Sequence, residues 1–439
     1  MEKMLNPVHG GLALLLLTLT PLTAHTQTET NRYTLEESIQ IGLKQSITVL
    51  NAARGREIAE TTRRRALSAA YPTITGSATY DLYDDENFSE SGSKTLGAEA
   101  SWQVFSGGRT LSAIRASKTY RQLTAVQERR IRETQTRDII LAYYQVKLAE
   151  TRAGVLEQSV QQLADFEQET RAKYDAGSVS EFDWLSAKVS LANEKPRLIV
   201  ARNDLAISRE HFKNLVFLDS DTFELTDSME FVPMELELEE AIQTGLVKRP
   251  ELQEKAGSIS LRKEDVNQQK SDLFPSVSVF LNYTFYNPDP YSKFIPGNST
   301  DDWQAHWSAG ARASWSLFDG GLRRSNIAES KLNLAIEEDE YRDMARAVSL
   351  DIRTQWLRGR DAVEAIEATS ENIALATRAL EIARARFDEG ISTNLEVTQS
   401  NLELSNARLA RSQALYEYVA AITQLKHAAG MLLEEYEND

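Results

Sequence analysis

The chain has 439 residues, a formal net charge of −16, no cysteine and five histidines (His9, His25, His211, His306 and His427). Without thiols there are no disulfides, thiolate nucleophiles, Cys-ligated zinc or iron–sulfur clusters, and the scattered histidines form no H-x-x-x-H or H-E-x-x-H pair, so no metal or cofactor is expected. The acidic balance argues against a nucleic-acid partner, and the basic run Arg63–Arg65 reads as a solvated helix face.

The chain opens with a targeting pattern. Lys3 precedes an apolar stretch, "GLALLLLTLTPL" at 11–22, and a small-residue end, "LTA" at 22–24. Residues 1–24 are therefore read as a signal peptide cleaved after Ala24 and the protein as exported; the apolar core is too short for a permanent span. No cysteine stands next to that site to carry a lipid.

The rest of the chain is written twice. "LEESI" (35–39) returns as "LEEAI" (238–242), and "YPTITGSATY" (71–80) as "FPSVSVFLNY" (274–283), both displaced by 203 positions. Further on, "RAKYDAGS" (171–178) returns as "RARFDEGI" (384–391), displaced by 213. The ten-residue difference falls in the polar stretch "NPDPYSKFIPGNSTDD" (287–302). Such self-similarity marks a repeat architecture. The first repeat is placed at 25–232 and the second at 233–439.

In chain order, each repeat starts with a helical stretch (33–70; 237–273) that stops at Tyr71-Pro72 or Phe274-Pro275, as helices do before proline. Two period-two segments come next, at about 72–83 and 94–105, then again at about 275–286 and 305–318. Ile74, Gly76, Ala78, Tyr80 and Leu82 share one face, opposite Thr73, Thr75, Ser77, Thr79 and Asp81. This alternation predicts strands. "WQVFSGGR" (102–109) and "WSLFDGGL" (315–322) then join strand to helix, where the glycine pairs relax the backbone and Ser106 or Asp319 can cap the exposed amides. Long helices come after them at about 109–174 and 322–387, each roughly 98 Å by helical rise. After Gly-containing breaks (175–180; 388–394) shorter helices return at 182–214, with a kink expected at Pro196, and at 395–427. The leading and returning helices together match the long one, so the simplest packing sets two short helices end to end, antiparallel to it, along heptad-like seams.

Two readings of the strands compete, a small soluble sheet and a membrane barrel. Ten-residue strands with apolar-out, polar-in alternation and aromatics near their ends (Tyr71, Tyr80, Tyr83, Trp102, Tyr283, Tyr286, Trp307, Trp315) favour the barrel. Four strands cannot close one, and an open edge cannot face lipid, so several chains are required.

The two-fold repeat, the Pro-headed strand, the aromatic-x-Phe-[Ser/Asp]-Gly-Gly strand exit and the Tyr/Phe-x-x-Gly helix turn resemble the TolC family of outer-membrane efflux proteins over about 33–430. The resemblance implies a mostly α fold with a membrane β part. Each of three chains gives four strands to a 12-stranded barrel in the outer-membrane lipid, with a coiled-coil α-barrel reaching into the periplasm. It implies a passive exit duct of a tripartite efflux or type I secretion system, docked to a periplasmic adaptor and an inner-membrane pump of RND, ABC or MFS type. The other reading is a non-conducting coiled-coil spacer of the envelope. No catalytic motif and no G-x-x-x-x-G-K loop is present, so an enzyme is not expected and transport energy must come from partners.

By the same resemblance, Asp183 and Glu396, each six residues beyond a turn glycine, line the periplasmic aperture, as rings of charge do in pores. First-turn acids also complement a helix N-terminus, and both roles are open. Gln399 stands where the best-known member has a second acid, Ser392 replaces its tip arginine, and Phe387 lacks the hydroxyl of its tip tyrosine. A weaker polar lock and a less negative aperture are therefore expected. Tyr174, Gly177, Phe387 and Gly390 are candidates for adaptor docking, or simply for ending a helix on a left-handed glycine. Phe105, Gly107, Gly108, Phe318, Gly320 and Gly321 are placed at the strand-to-helix joints.

Overall fold

The computed structural model describes residues 31–85, 88–220, 222–234, 236–287 and 303–436. The signal-peptide segment, and all of the 287–302 stretch beyond Asn287, lie outside the described residues. The elements are β1 (Asn31–Tyr33), α1 (Leu35–Gln45), α2 (Ile47–Ser68), β2 (Thr73–Asp85), β3 (Phe88–Phe105), α3 (Arg109–Asp175), α4 (Glu181–Val216), β4 (Phe223–Leu225), α5 (Leu238–Lys248), α6 (Pro250–Ser271), β5 (Ser276–Asn287), β6 (Gln304–Ser314), α7 (Leu322–Asp388) and α8 (Asn394–Ala428).

The long helices α3 and α7 have 67 residues each, about 100 Å of helix. α2 and α4 both pack on α3, and α6 and α8 on α7, in the end-to-end arrangement that the helix lengths imply. One expectation needs correction. The leading helices are not single. Ser46 and Arg249 adopt extended backbone (ψ 119° and 123°) and split them into α1–α2 and α5–α6. Pro250 accounts for the second break, because its ring disfavours helical backbone in the residue before it. The first break has no proline and adopts the same geometry, with the Ser46 N–H donating to the Gly42 carbonyl at 2.9 Å. Pro196, by contrast, does not divide its helix, which runs through it as the single element α4.

The splits place α1 and α5 against the middle of the long helices, where the two richest cores lie. Ile39 and Leu43 pack with Ile139, Tyr143, Phe212 and Phe223, while Ile242 packs with Val348, Ile352 and Leu425. Gly42 and Gly245 allow this approach. A Cβ at either would stand 2.4 Å from the Cδ1 of Ile139 or Ile352, so a larger residue fits only if that side chain shifts. The pairs Gly42–Ile139 and Gly245–Ile352 repeat at the offsets read from the sequence.

A charged cluster sits beside these cores. Glu133 is 2 % exposed. Its carboxyl is pushed up to about 7, chiefly by burial, with Arg129 opposing and Glu251 assisting. Burial pushes His427 down to about 4, with Arg137 and Arg249 adding to the shift. The two act in opposite senses. The folded state keeps the Glu133 proton where the unfolded chain has released it, so that contribution declines as pH rises from about 4.5 to about 7. The unfolded chain binds a His427 proton that the folded state refuses, so stability falls as pH drops from about 6.5 to about 4. Between about pH 4.5 and 6.5 the slopes cancel. Glu133→Gln is expected to unmask a stability that climbs with pH across that window, and His427→Gln one that declines. Apparent Tm measured against pH checks both, and parallel curves for the two variants would disprove the assignment.

The four long strands form one antiparallel sheet in the order β2-β3-β5-β6. Its registers include Ala78↔Leu96, Ala98↔Tyr283 and Leu281↔Ala309. One face carries Ile74, Ala78, Leu82, Ala98, Trp102, Leu281, Tyr283, Trp307 and Ala311. The other carries Thr75, Thr79, Asp81, Glu99, Ser101, Asn282, Thr284, Ser308 and Arg312. β3 begins earlier than expected, at Phe88, and β6 ends at Ser314 instead of 318, leaving Trp315–Phe318 outside any strand. The reason lies in pairing. β2 pairs with β3 only as far as Ser101 and β5 holds β3 on to Phe105, whereas β6 is paired only with β5, as far as Ser314, among the described residues.

Candidate functional site: two strand–helix joints and a helix tip

Strand and helix meet at glycine pairs in left-handed backbone: Gly107 (φ 64°) and Gly108 (φ 96°) after Phe105, Gly320 (φ 67°) and Gly321 (φ 92°) after Phe318. Capping agrees with the sequence. Ser106 Oγ accepts from the Thr110 N–H at 3.2 Å, and Asp319 accepts from the N–H groups of Gly321 (3.0 Å) and Arg323 (3.2 Å). The tryptophans beside the joints have a second task. The Trp102 indole donates to the Ala70 carbonyl (2.9 Å) and the Trp315 indole to that of Leu273 (3.1 Å), fastening each strand exit to the end of the preceding helix. Arg109 and Asp272 add an ion pair between the first joint and the second repeat.

At the far end, α3 turns into α4 through Gly177 (φ 74°) and α7 into α8 through Gly390 (φ 71°), the left-handed helix ends that the turn motif implies. Asp183 closes a capping box with Ser180. The Ser180 N–H and hydroxyl donate to its carboxylate (3.2 and 2.6 Å), and its own N–H donates to Ser180 Oγ (3.2 Å). Glu396 stands in the first turn of α8, exposed, and pairs with Arg386 at 3.4 Å. Gln399, also exposed, donates to Glu403 one turn on at 3.2 Å. The three aperture candidates are thus brought to one end of the molecule, with Asp183 engaged in a helix-start cap and Glu396 in an ion pair across its turn.

The docking candidates divide. Gly177 and Gly390 are exposed, and Tyr174 is half-buried, stacked on Trp184 with centroids 5.6 Å apart. Phe387 is buried, which corrects its reading as a contact surface: its ring meets Phe166 edge-on at 5.1 Å within a core of Ala187, Leu380, Ala383, Val397 and Leu404. Without a hydroxyl to satisfy, that ring can be enclosed by apolar neighbours and covered by a cation.

That cation is Lys173, which no sequence motif singles out. Its ammonium lies 4.3 Å from the centre of the Phe387 ring, 2.7 Å from Glu169 and 3.2 Å from Asp388. Burial works against its charge, but hydrogen bonds to Glu169 and Asp388 hold its pKa above the ordinary lysine value. Asn394 adds a second tie, donating to the Asp183 carbonyl. These contacts fasten the α3–α4 hairpin to the α7–α8 hairpin. A signal was available: the third position of "RAKYDAGS" and "RARFDEGI" is basic in both repeats. Lys173 reaches across to the other hairpin, whereas its counterpart Arg386 pairs within its own.

No group of His, Cys, Asp or Glu among the described residues could hold a metal ion. No described helix is long and apolar enough to cross a membrane, a statement that does not bear on strands.

The profile of the family described as outer membrane efflux protein matches residues 39–216 and 241–431. The outer membrane protein TolC of Vibrio cholerae is 22% identical over 397 residues, 88% of each chain. Among solved structures, the CusC channel superimposes with a TM-score of 0.80 at 16% identity, over 90% of this chain and 92% of that one. The Campylobacter jejuni CmeC outer membrane channel does so with a TM-score of 0.78 at 18% identity, over 91% and 86%.

Proposed function

We propose, given that this chain belongs to the outer membrane efflux protein family, that three copies form a passive exit duct. The carrying observation is the sheet, which is apolar on one face, polar on the other and, among the described residues, open at both edges. In lipid every backbone donor and acceptor needs a partner, so such a sheet spans a membrane only when copies close it. With an even number of strands, β2 and β6 run in opposite directions, so the β6 of one copy meets the β2 of the next antiparallel. Three copies give twelve strands, the polar face lining the lumen. The helices extend the duct into the periplasm, and their exposed apolar residues, Val189, Ile199 and Ile207 on α4 and Leu332, Ile336 and Leu350 on α7, are covered by neighbouring copies.

The tip then forms the periplasmic aperture. Phe182, Ile391 and Leu395 stand exposed around the turn glycines and offer an apolar surface to a periplasmic adaptor, which links the duct to an inner-membrane pump for efflux or type I secretion. Asp183 and Glu396 line the aperture, with Arg386 offsetting part of the Glu396 charge.

Heat-modifiable trimers in the outer-membrane fraction, conducting in planar bilayers, are the expected result; a monomeric, non-conducting protein overturns the proposal. At the aperture, Glu396→Ala is expected to weaken block by hexaamminecobalt(III) added on the periplasmic side. Arg386→Ala, which frees the same carboxylate, strengthens it. Block unchanged in both variants would remove Glu396 from the lining.

A further inference from the structure

The chain's internal repeat specifies, residue by residue, how one copy meets the next. The hairpins β2–β3 and β5–β6 share one register under the sequence offsets: Thr73↔Ser101 becomes Ser276↔Ser314, and Ala78↔Leu96 becomes Leu281↔Ala309. Between the hairpins, β3 pairs with β5, and the chain thereby displays the contact its first repeat makes with its second. The contact from second repeat to first needs another copy. Deepening the assembly proposed above, and resting on it, we infer that β6 of one copy pairs with β2 of the next in the register of β3 with β5.

Applying the offsets of 213 and 203, Ala98↔Tyr283 becomes Ala311↔Tyr80, and Leu96↔Phe285 becomes Ala309↔Leu82, the second residue of each pair in the neighbouring copy. Further along, Trp102↔Val279 becomes Trp315↔Gly76, and Phe105↔Val277 becomes Phe318↔Ile74. Exposure supports the match. Ile74 and Phe318 are 80 % and 90 % exposed, and this register lays one on the other. It also explains why β6 stops at Ser314, because the residues equivalent to 102–105 of β3 have no partner until the next copy arrives. The helices carry the same signature: Leu123 of α3 is 8 % exposed beneath α6, while its counterpart Ile336 of α7 is 54 % exposed. The next copy's α2 is the equivalent cover.

The register also creates one charge pair. Arg312 falls opposite Thr79 of the neighbour, which places Asp81 of that copy on the adjacent diagonal of the polar face, within reach of a guanidinium. In the single chain both side chains are exposed. Arg312 rests over the Phe280 ring at 5.6 Å, and among the described residues neither it nor Asp81 has an ion-pair partner. The register makes them an intersubunit ion pair.

Because the chain has no cysteine, engineered thiols are the only ones present. Tyr80→Cys with Ala311→Cys is expected to give covalent dimers and trimers on non-reducing gels. Ala98→Cys with Tyr283→Cys, the equivalent pair inside one chain, supplies the positive control as an intramolecular crosslink. Tyr80→Cys with Ala309→Cys, two residues out of register, is expected to crosslink far less than the in-register pair. Crosslinking that favours the shifted pair in a protein that is still trimeric overturns the register and leaves the duct intact. A protein that stays monomeric overturns both. For the ion pair, Arg312→Asp and Asp81→Arg each lower the temperature at which trimers dissociate and the double variant recovers it; no recovery removes the pair.

Discussion

Gly107→Val is expected to leave little folded protein, whereas Gly108→Ala, one residue along, gives a weakened but folded chain. Both glycines adopt positive φ, which costs any other residue roughly 1–2 kcal/mol. They differ in what surrounds them. A Cβ at Gly107 would lie 2.2 Å from the Ser271 carbonyl oxygen and 3.1 Å from the Phe274 Cβ, while at Gly108, local backbone aside, no atom of the described residues comes within 4 Å. The Ser271 carbonyl closes the end of α6 by accepting the Phe274 N–H at 3.1 Å, so it cannot move aside without unwinding that helix end. Overpacking a core typically costs about 1–3 kcal/mol even where side chains can adjust, and here the obstacle is backbone. A β-branched residue adds its own strain in left-handed backbone. Heat-modifiable mobility and chemical denaturation report the difference, and equal losses at the two positions would refute the steric argument.

Lys173→Glu is expected to produce the largest functional change, a several-fold rise in single-channel conductance with the fold retained. The ammonium binds two acids and the face of Phe387, so it ties the two hairpins at the narrow end of the proposed duct. Reversing its charge sets three carboxylates together over an aromatic ring and turns the tie into a repulsion. Exposed ion pairs contribute less than about 1 kcal/mol in general, so neutralisation by Lys173→Met should open the tip only in part. Asp388→Lys in the Lys173→Glu background restores the opposite charges and should return conductance towards its starting value. Conductance unmoved by Lys173→Glu would show that the hairpins are held elsewhere, with Asn394→Ala the next variant to measure. If the tip is locked in this chain, the lock expected to be weak at Ser392 and Phe387 would be built from a cation on the opposite helix, Lys173.

The sequence alone determined the long helices, the four long strands and their order. Helix periodicity, strand alternation, Pro-headed strands and left-handed glycines are local properties, and writing them twice at offsets of 203 and 213 made each repeat a check on the other. The long helices accordingly begin and end within a residue of expectation, and the joints carry the caps assigned to Ser106 and Asp319. Sequence distance hid the rest. Lys173 and Asp388 are 215 positions apart and Asn394 and Asp183 are 211, so their contacts arise only once four helices are packed at one tip. The break at Ser46 has no proline to announce it and arises where α1 leans on Ile139 through Gly42. The end of β6 was beyond any reading of its own residues, because a strand extends only as far as it has a neighbour, and in the proposed trimer the neighbour of Trp315–Phe318 belongs to another copy.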